Sequence, residues 1–386
     1  MPEPKASLVF TTIFSADVLD AYYRNFKKFN RLDQIEVIVI PDRKTPPETY
    51  QRAQGLNALG MRTLCPSLDE QDDYLRRVGV PPDFVPYNSD NRRNVGYLMA
   101  LASGSDFLIS IDDDNYCTGE QDAFGEHSIV CQGSAEYSTI SSQSGFYNIC
   151  NLLELERDVP VYARGFPYFA RHQDEAAQRF TAAADIHVNA GLWTLDPDID
   201  ALTWLVCLPR VKSFKGESVV LAGDTWSPIN TQNTALCRDA IPAYYFLKMA
   251  YPISGIPIDR YGDIFSGYFV QACVKHLRKA VRTGSPYAEH RRNSHNYMRD
   301  AINEIACIAV LEDMLPWLTE VQLSGNSYIE AYLCLSHAIQ DAVERFHGSI
   351  WTDATRGYFH QVAHYMRAWL KACAGIEGVR TSGAHA

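Results

Sequence analysis

Between residues 7 and 111 the chain alternates β-branched apolar runs with amphipathic helical patterns, and this alternation is the strongest constraint on its fold. Runs such as IEVIVI and FLISI are typical of strands buried on both faces of a parallel sheet. The predicted fold class is therefore α/β, with a sheet sandwiched by helices. The pattern predicts strands over Ser7–Phe14, Ile35–Ile40, Met61–Cys65 and Phe107–Ile111, and helices over Asp17–Phe29 and Asn94–Ser103.

The rest of the chain divides into a loop-rich segment and a helical one. Residues 116–235 are rich in Gly, Ser, Asn and Asp, which predicts the mixed-sheet, substrate-binding half of the same domain. We therefore predict a catalytic domain over 1–295 and a C-terminal helical region over 296–386. Helices are predicted over Gly267–Val281, Ala301–Trp317, Tyr328–Phe346 and Tyr358–Ala372.

The charge balance limits the classes of partner. The chain has 35 Lys and Arg against 46 Asp and Glu, a net charge of −11, which disfavours broad binding to nucleic acid or anionic membrane. A small phosphate-bearing ligand remains compatible, since a pocket can be locally basic. No apolar run reaches the roughly 18 residues of a membrane span. The N-terminus lacks a signal-peptide layout. The ten cysteines occur singly, so we expect reduced thiols in a cytoplasmic protein.

Asp112, Asp113 and Asp114 directly follow the predicted strand FLISI, at the end where open parallel sheets bind ligands. Three adjacent carboxylates repel one another unless a cation or hydrogen bonds compensate. Mg²⁺ or Mn²⁺, which prefer oxygen ligands, would provide that compensation. Because neighbouring strand residues point to opposite faces, we expect Asp112 and Asp114 to share one face. A solvated acidic turn is the alternative interpretation.

Two groups of arginines flank this acidic centre in the sequence. Arg92 and Arg93 stand at the start of a predicted helix, where an arginine and free backbone N–H groups can bind phosphate. Arg164 and Arg171 lie seven residues apart among aromatic residues and could clamp a sugar diphosphate. A capped helix start and an irregular surface loop, respectively, are the structural alternatives.

Other patterns exclude common enzyme classes. His360 and His364 have helical spacing, but Gln361 replaces the glutamate that a zinc protease of this type needs, so we expect one face of a helix. The sequence contains no GxSxG, P-loop or GxGxxG motif. It therefore gives no support for a serine hydrolase, a P-loop NTPase or a Rossmann dehydrogenase.

Short motifs follow one another in a consistent order along the chain. They are Arg93-x-x-Gly96-Tyr97, Ile111-Asp112-Asp113-Asp114, Arg164-Gly165-Phe166-Pro167 with Arg171, Gly191-Leu192-Trp193, Pro197-Asp198-x-Asp200-Ala201, Asn233-x-Ala235 with Arg238-Asp239, Arg260-Tyr261-Gly262-Asp263 and Gly284-x-Pro286-Tyr287-x-x-His290. In these motifs the chain resembles the reversibly glycosylated polypeptides, also called UDP-arabinopyranose mutases. The resemblance implies a GT-A glycosyltransferase fold with a mixed central sheet and a C-terminal helical extension.

The resemblance also implies roles for individual residues. Asp112, Asp114 and His290 would hold Mn²⁺ or Mg²⁺ against the diphosphate of a nucleotide sugar, although a buried structural histidine is the alternative for His290. Asp263 is the candidate general base or acceptor-orienting carboxylate, with a helix cap as its alternative. Arg164 matches the family's self-glycosylated arginine and is the second catalytic candidate. The substrate-binding candidates are Asp42, Arg93, Asp113, Arg171, Trp193 and Asn233.

Three departures from the family pattern lie in segments that are expected to contact the substrate, and they argue against UDP-arabinose as that substrate. Ala190 replaces a histidine, Gly262 replaces the first residue of an Asp-Asp pair, and Pro41-Asp42-Arg43 replaces Asp-Gly-Asp. We therefore expect a metal-dependent glycosyltransferase that uses a UDP-sugar donor and an unknown acceptor. A UDP-sugar pyranose/furanose mutase is the close alternative, and a self-glycosylating carrier is the third. The predicted helical region is compatible with a subunit interface in a homo-oligomer.

Overall fold

A computed structural model of the chain describes residues 3–171, 173, 176–253 and 255–383. The strands are β1 (Ala6–Thr12), β2 (Ile35–Pro41), β3 (Thr63–Leu64), β4 (Phe107–Ile111), β5 (Asn115–Cys117), β6 (Ser134–Ser142), β7 (Leu153–Leu155), β8 (Ala177–Leu195), β9 (Val211–Phe214), β10 (Val219–Leu221), β11 (Asn233–Cys237), β12 (Tyr251–Ile253), β13 (Ile256–Ile258) and β14 (Ala280–His290). The α-helices are α1 (Val18–Lys28), α2 (Pro47–Ala58), α3 (Leu68–Arg77), α4 (Arg93–Ser103), α5 (Ala123–His127), α6 (Ala201–Val206), α7 (Gly262–His276), α8 (Tyr297–Glu320), α9 (Tyr328–Ala342) and α10 (Asp353–Gly383).

The apolar runs near the N-terminus form neighbouring parallel strands, as predicted. β3, β2, β1 and β4 lie side by side in that order, and all three pairings are parallel. Every residue of β2 and β4 is buried, in agreement with their continuous apolar sequences. Helix α4 packs very closely on this sheet at Gly96, where an added Cβ would stand 2.3 Å from Val9 Cγ1. Only glycine allows this approach, and it fixes the start of α4 beside the end of β4.

The second half of the sheet is mixed and brings a distant segment to the acidic turn. β11 runs antiparallel to both β4 and β8, and β14 runs parallel to β8. The last residues of β14 pair with β5, with His290 opposite Asn115. As a result, His290 lies next to the turn that follows β4, although more than a hundred residues separate the two segments.

One predicted helix begins and ends earlier in the chain than the sequence indicated. The helix expected over Gly267–Val281 is α7, which begins at Gly262 and ends at His276. Arg278 adopts a left-handed conformation with φ of 54°, so the chain turns there and continues as strand β14 from Ala280. The helical periodicity of the sequence extended past this turn because Val281 is apolar and buried in the sheet.

The three predicted C-terminal helices are present as α8, α9 and α10, and they pack back onto the sheet region. Trp369 Nε1 on α10 donates to the Pro242 carbonyl at 3.0 Å, and Arg260 Nε donates to Glu304 on α8 at 3.0 Å. The boundary at residue 295 stays a prediction. The predicted α/β class, with a mixed central sheet and a C-terminal helical extension, is confirmed. Within the described ranges, none of the helices combines the length and apolarity that a membrane crossing requires.

Candidate nucleotide-sugar site

A cavity of about 790 Å³ opens at the carboxyl ends of β1, β2 and β4. Strand ends, the start of α7 and the segment after β14 all contribute to it. Its charged lining residues are Asp42, Lys44, Asp90, Arg93, Asp112, Asp113, Asp114, Arg164, Asp198, Lys248, Asp259, Arg260, Asp263, His290, Arg292 and His295. Eight of the eleven site residues predicted from the sequence line this cavity, and three do not. The eight are Asp42, Arg93, Asp112, Asp113, Asp114, Arg164, Asp263 and His290; Arg171, Trp193 and Asn233 lie outside the lining.

The acidic turn after β4 distributes its three carboxylates among different partners. Asp112 Oδ1 accepts a hydrogen bond from Arg93 Nη2 at 2.6 Å, and Asp113 Oδ2 accepts one from the Thr12 hydroxyl at 2.6 Å. Asp114 Oδ2 lies 3.5 Å from His290 Nε2. The turn is thus divided between a side that faces β1 and a side that faces β14.

The charges of this turn are only partly compensated. Burial raises the pKa of Asp112 to about 6, with a further contribution from Asp114, although the Arg93 guanidinium opposes this. Burial likewise raises the pKa of Asp113 to about 7, against the hydrogen bond from Thr12. The pKa of Asp114 is lowered, because its hydrogen bond and charge interaction with His290 outweigh burial. An added cation would therefore stabilise the ionised form of this cluster.

The donor set of Asp112, Asp114 and His290 suits a divalent cation that arrives with a ligand. His290 Nδ1 lies 2.7 Å from the Asp196 carbonyl, and this hydrogen bond turns Nε2 toward Asp114, as the second nitrogen of a metal-binding histidine commonly does. Across the described ranges no three His, Cys, Asp or Glu side chains are grouped tightly enough to hold a metal ion unaided. Mg²⁺ commonly combines a small number of carboxylates with substrate phosphates and water.

On the far side of the turn, Arg164 lies between two carboxylates. Its Nε and Nη2 donate to Asp198 at 2.8 and 3.1 Å, and its Nη1 and Nη2 donate to Asp263 at 3.0 and 2.6 Å. Nη1 also donates to the Arg260 carbonyl at 2.5 Å, so each of the five N–H groups has an acceptor. The Arg164 charge lowers the pKa of Asp198 despite its burial. All the donors of Arg164 in this buried cluster are thus used by acceptors within the chain.

The other end of the cavity lies beside the ends of β1 and β2. The Asp42 backbone N–H donates to the Thr45 hydroxyl at 2.8 Å, and Asp42 Oδ2 accepts from the Ser89 backbone N–H at 3.3 Å. Gln232 Oε1 is buried in the cavity lining and has no hydrogen-bond partner among the described residues. This end therefore offers polar groups that a ligand could engage.

Four predicted binding residues point elsewhere. Arg92 donates to Gln71 at 2.6 Å and to the Val85 carbonyl at 3.0 Å, so only its neighbour Arg93 reaches the cavity. Arg171 forms an ion pair with buried Asp200. The two others are outside the cavity lining as well: Trp193 is buried within β8, and Asn233 bonds to His127 and the Pro286 carbonyl.

Several cavity residues were not singled out from the sequence. Asp198 stands in a quoted motif, but spacing alone could not show that it shares Arg164 with Asp263. Arg260 donates to Glu304 on α8 at 3.0 Å, a contact that depends on the packing of the helical region. Arg292 lies two residues after His290, and this proximity was the available signal.

The family model described as "Reversibly glycosylated polypeptide" matches residues 8–377 of the chain. The chain belongs to this family. Among its relatives, UDP-arabinopyranose mutase 2 of Arabidopsis thaliana is 26% identical over 321 residues, which cover 82% of this chain and 81% of the relative. UDP-arabinopyranose mutase 1 of Oryza sativa subsp. japonica is 25% identical over 370 residues, with 95% and 89% covered.

Solved structures give a weaker similarity. The glucosyl-3-phosphoglycerate synthase from Mycobacterium tuberculosis, in complex with Mn²⁺ and UDP-glucose, matches with a TM-score of 0.37 and 12% identity. The match covers 83% of this chain and 81% of the synthase.

The three positions at which this chain departs from the family pattern lie in different parts of the structure. Ala190 is buried in β8, where it pairs with Thr234 of β11, and it is not among the cavity-lining residues. Gly262 and Asp42 do line the cavity. An added Cβ at Gly262 would stand 2.8 Å from the Leu247 carbonyl oxygen, so a side chain here would require its surroundings to shift.

Proposed function

We propose that this protein is an enzyme that acts on a UDP-sugar with the help of Mn²⁺ or Mg²⁺. The observation that carries the proposal is the convergence of Asp112, Asp114 and His290 with Arg93 and Arg164 around one cavity. Carboxylates that need a cation, next to fixed arginines, are suited to a metal-bound diphosphate. The names of the mutase relatives support the same substrate class.

The proposed roles follow from the contacts of each side chain. Asp112, Asp114 and His290 would hold the cation, which when bound neutralises negative charge on the departing diphosphate. Arg93, held by Asp112 at 2.6 Å, adds a fixed positive charge beside it. Asp42 is assigned to the nucleoside end of the cavity, and Asp113, which is held by Thr12, to its neighbouring wall.

The contacts of Asp263 revise its proposed role. Both of its oxygens accept hydrogen bonds from Arg164, so acting as a general base would require that pair to open. We therefore infer that Asp263 mainly holds Arg164 at the cavity wall. Sugar transfer onto Arg164 would likewise require one of its five occupied N–H groups to be released, so self-glycosylation is a side reaction in this proposal.

For the reaction itself, we place interconversion of pyranose and furanose forms first. Such a mutase cleaves and re-forms the bond between the sugar's anomeric carbon and the diphosphate. The sequence departures favoured transfer to a separate acceptor, but Ala190 lies outside the cavity lining and weighs little against a mutase. Gly262 is the observation that keeps glycosyl transfer as the second candidate, because it removes a carboxylate from the cavity wall.

Incubation with UDP-arabinopyranose and Mn²⁺, followed by chromatography, separates the candidates. Appearance of the furanose form supports the mutase proposal. Loss of the sugar from UDP without a furanose product supports the transferase, and an intact-mass increase of one pentose reports self-glycosylation. Asp114→Asn should abolish turnover, while the exposed control Asp33→Asn should retain it. Absence of binding to any UDP-sugar, measured by thermal shift with Mn²⁺, would contradict the proposed function.

A further inference from the structure

The arginines that line the cavity differ in whether a carboxylate already neutralises them. Arg93 pairs with Asp112, Arg164 with Asp198 and Asp263, and Arg260 with Asp300 and Glu304. Arg292 is partly buried, and in the described part of the chain its guanidinium has no hydrogen bond and no ion pair. It is therefore the arginine in this lining whose N–H groups are all available to a ligand. Asp198, the carboxylate that acts most on its charge, already accepts hydrogen bonds from Arg164.

Aromatic rings hold the Arg292 side chain in place. Its guanidinium carbon lies 5.1 Å from the ring centroid of Trp204 and 5.4 Å from that of Tyr297. These two rings stack on each other, with centroids 5.4 Å apart and planes 6° apart. Stacking against aromatic faces restricts a guanidinium without using its N–H groups. The five donors consequently remain free for a planar or tetrahedral anion.

The position of Arg292 along the cavity indicates which part of a ligand it would meet. It follows His290 by two residues, and the charges that act on it include those of Asp198 and Arg164, which places it on their side of the cavity. Asp42 and Thr12, in contrast, lie on the other side, next to Asp113. A nucleotide sugar whose nucleoside end lies near Asp42 would place its terminal phosphate toward Arg292.

Lysines at the cavity wall are less suited to this role. Lys44 is exposed and stands at the Asp42 side. Lys248 has its ammonium 5.5 Å from the Tyr365 ring. Neither can form the paired, parallel hydrogen bonds that a guanidinium makes to phosphate.

We propose that Arg292 binds the sugar-bearing, terminal phosphate of the nucleotide diphosphate and so distinguishes diphosphates from monophosphates. This assignment rests on the function proposed above. Arg292 is a binding residue in addition to the metal-holding side chains, and it acts on the same ligand from the β14 side of the cavity.

The test compares UDP with UMP by isothermal titration calorimetry, with Mn²⁺ present. Arg292→Met should weaken UDP binding roughly 10- to 100-fold, the range expected for lost hydrogen bonds to a charged group. UMP affinity should stay within about twofold, and Arg292→Lys should give an intermediate loss for UDP. The matched control is Arg291→Met, because Arg291 is exposed and pairs with Glu289. It should bind UDP as the wild type does.

The outcomes separate the two levels of the proposal. Wild-type protein that binds neither nucleotide overturns the proposed function, and with it the role of Arg292. Wild-type binding of UDP that Arg292→Met leaves unchanged overturns the role of Arg292 alone. An equal loss for UMP and UDP also overturns it, because the contact would then be to the inner phosphate. Thermal unfolding of both variants checks that they are folded, and Arg292→Lys provides a second folded variant that retains the charge.

Discussion

The acidic turn and the Arg164 cluster face the same cavity but stabilise their buried carboxylates in opposite ways. In the turn, Asp112, Asp113 and Asp114 have one guanidinium, one hydroxyl and one imidazole near them. In the cluster, two carboxylates share one guanidinium whose donors are all used. The hydrogen-bond donors of the cluster are all used without a ligand, whereas the turn, in the function proposed above, takes a cation from outside. The wall formed by the Arg164 cluster is therefore structural, and we call the wall formed by the acidic turn the receptive wall because it is the one proposed to bind a cation.

The largest effect is expected from removing the charge that completes the cluster. Arg164→Met would leave Asp198 and Asp263 buried without a counterion, at a cost of about 3–5 kcal/mol in the free energy of unfolding. Urea denaturation measures this, and Arg164→Lys should lose less because it keeps the charge. A variant within about 1 kcal/mol of wild type would show that the cluster is not what stabilises this wall.

A neutral polar cluster beneath the sheet gives a contrasting pH dependence. His127 is buried between Asn233 and Asn189, and burial lowers its pKa to about 4. Since the folded state binds the proton less readily than the unfolded state, stability is fully present above about pH 6.5 and falls as the pH drops toward 4.

His127→Gln should remove this contribution to the pH dependence. Between pH 7 and pH 4 the unfolding free energies of wild type and variant should change relative to each other by on the order of 3 kcal/mol, the wild type losing more. Urea denaturation at several pH values measures both proteins. A difference that stays constant with pH would show that His127 does not govern this part of the acid response.

Mn²⁺ together with UDP should stabilise the receptive wall more than UDP alone does. With UDP present, Mn²⁺ at about a hundred times its dissociation constant should raise the free energy of unfolding by a further amount of about 2.7 kcal/mol. Asp112→Asn and Asp114→Asn should lose this gain, while Asp113→Asn, in the same turn but facing Thr12, should keep it. Equal behaviour of the three variants in metal-dependent thermal unfolding would contradict the assignment of the two ligands.

The smallest effect is expected at an exposed ion pair. Arg210 pairs with Asp196 at 2.9 Å, but its side chain is 48% exposed. Arg210→Met should change the free energy of unfolding by about 1 kcal/mol or less, because solvent screens such pairs. A loss as large as that of Arg164→Met would mean that burial is not what separates these two ion pairs.

The parts of the fold and site that the sequence predicted are those set by local pattern. β2 and β4 are continuous apolar runs, and the Asp triplet directly follows one of them, so the acidic edge of the sheet could be located from sequence. His290 was reached through a family motif instead. Local spacing carries no information on the β14–β5 pairing that brings it to Asp114.

The predictions that missed the cavity depended on partners far away in the chain. Arg164 and Arg171 have similar sequence surroundings, yet one lines the cavity and the other pairs with Asp200 outside it. Arg92 and Arg93 are adjacent, but neighbouring residues of a helix point in different directions. The Arg92 side chain therefore contacts Gln71, whereas that of Arg93 contacts Asp112. Packing decides which arginine faces the cavity, and the periodicity of the sequence does not show it.

The close contact of α4 with β1 at Gly96 also has a consequence for the cavity. Gly96 lies one turn beyond Arg93, so the distance between helix and sheet at this point also sets how far the Arg93 guanidinium reaches toward Asp112. A methyl group at residue 96 would act as a wedge under the helix and lift its first turn. The position of the Arg93 charge at the mouth of the cavity therefore depends on the absence of a side chain at residue 96.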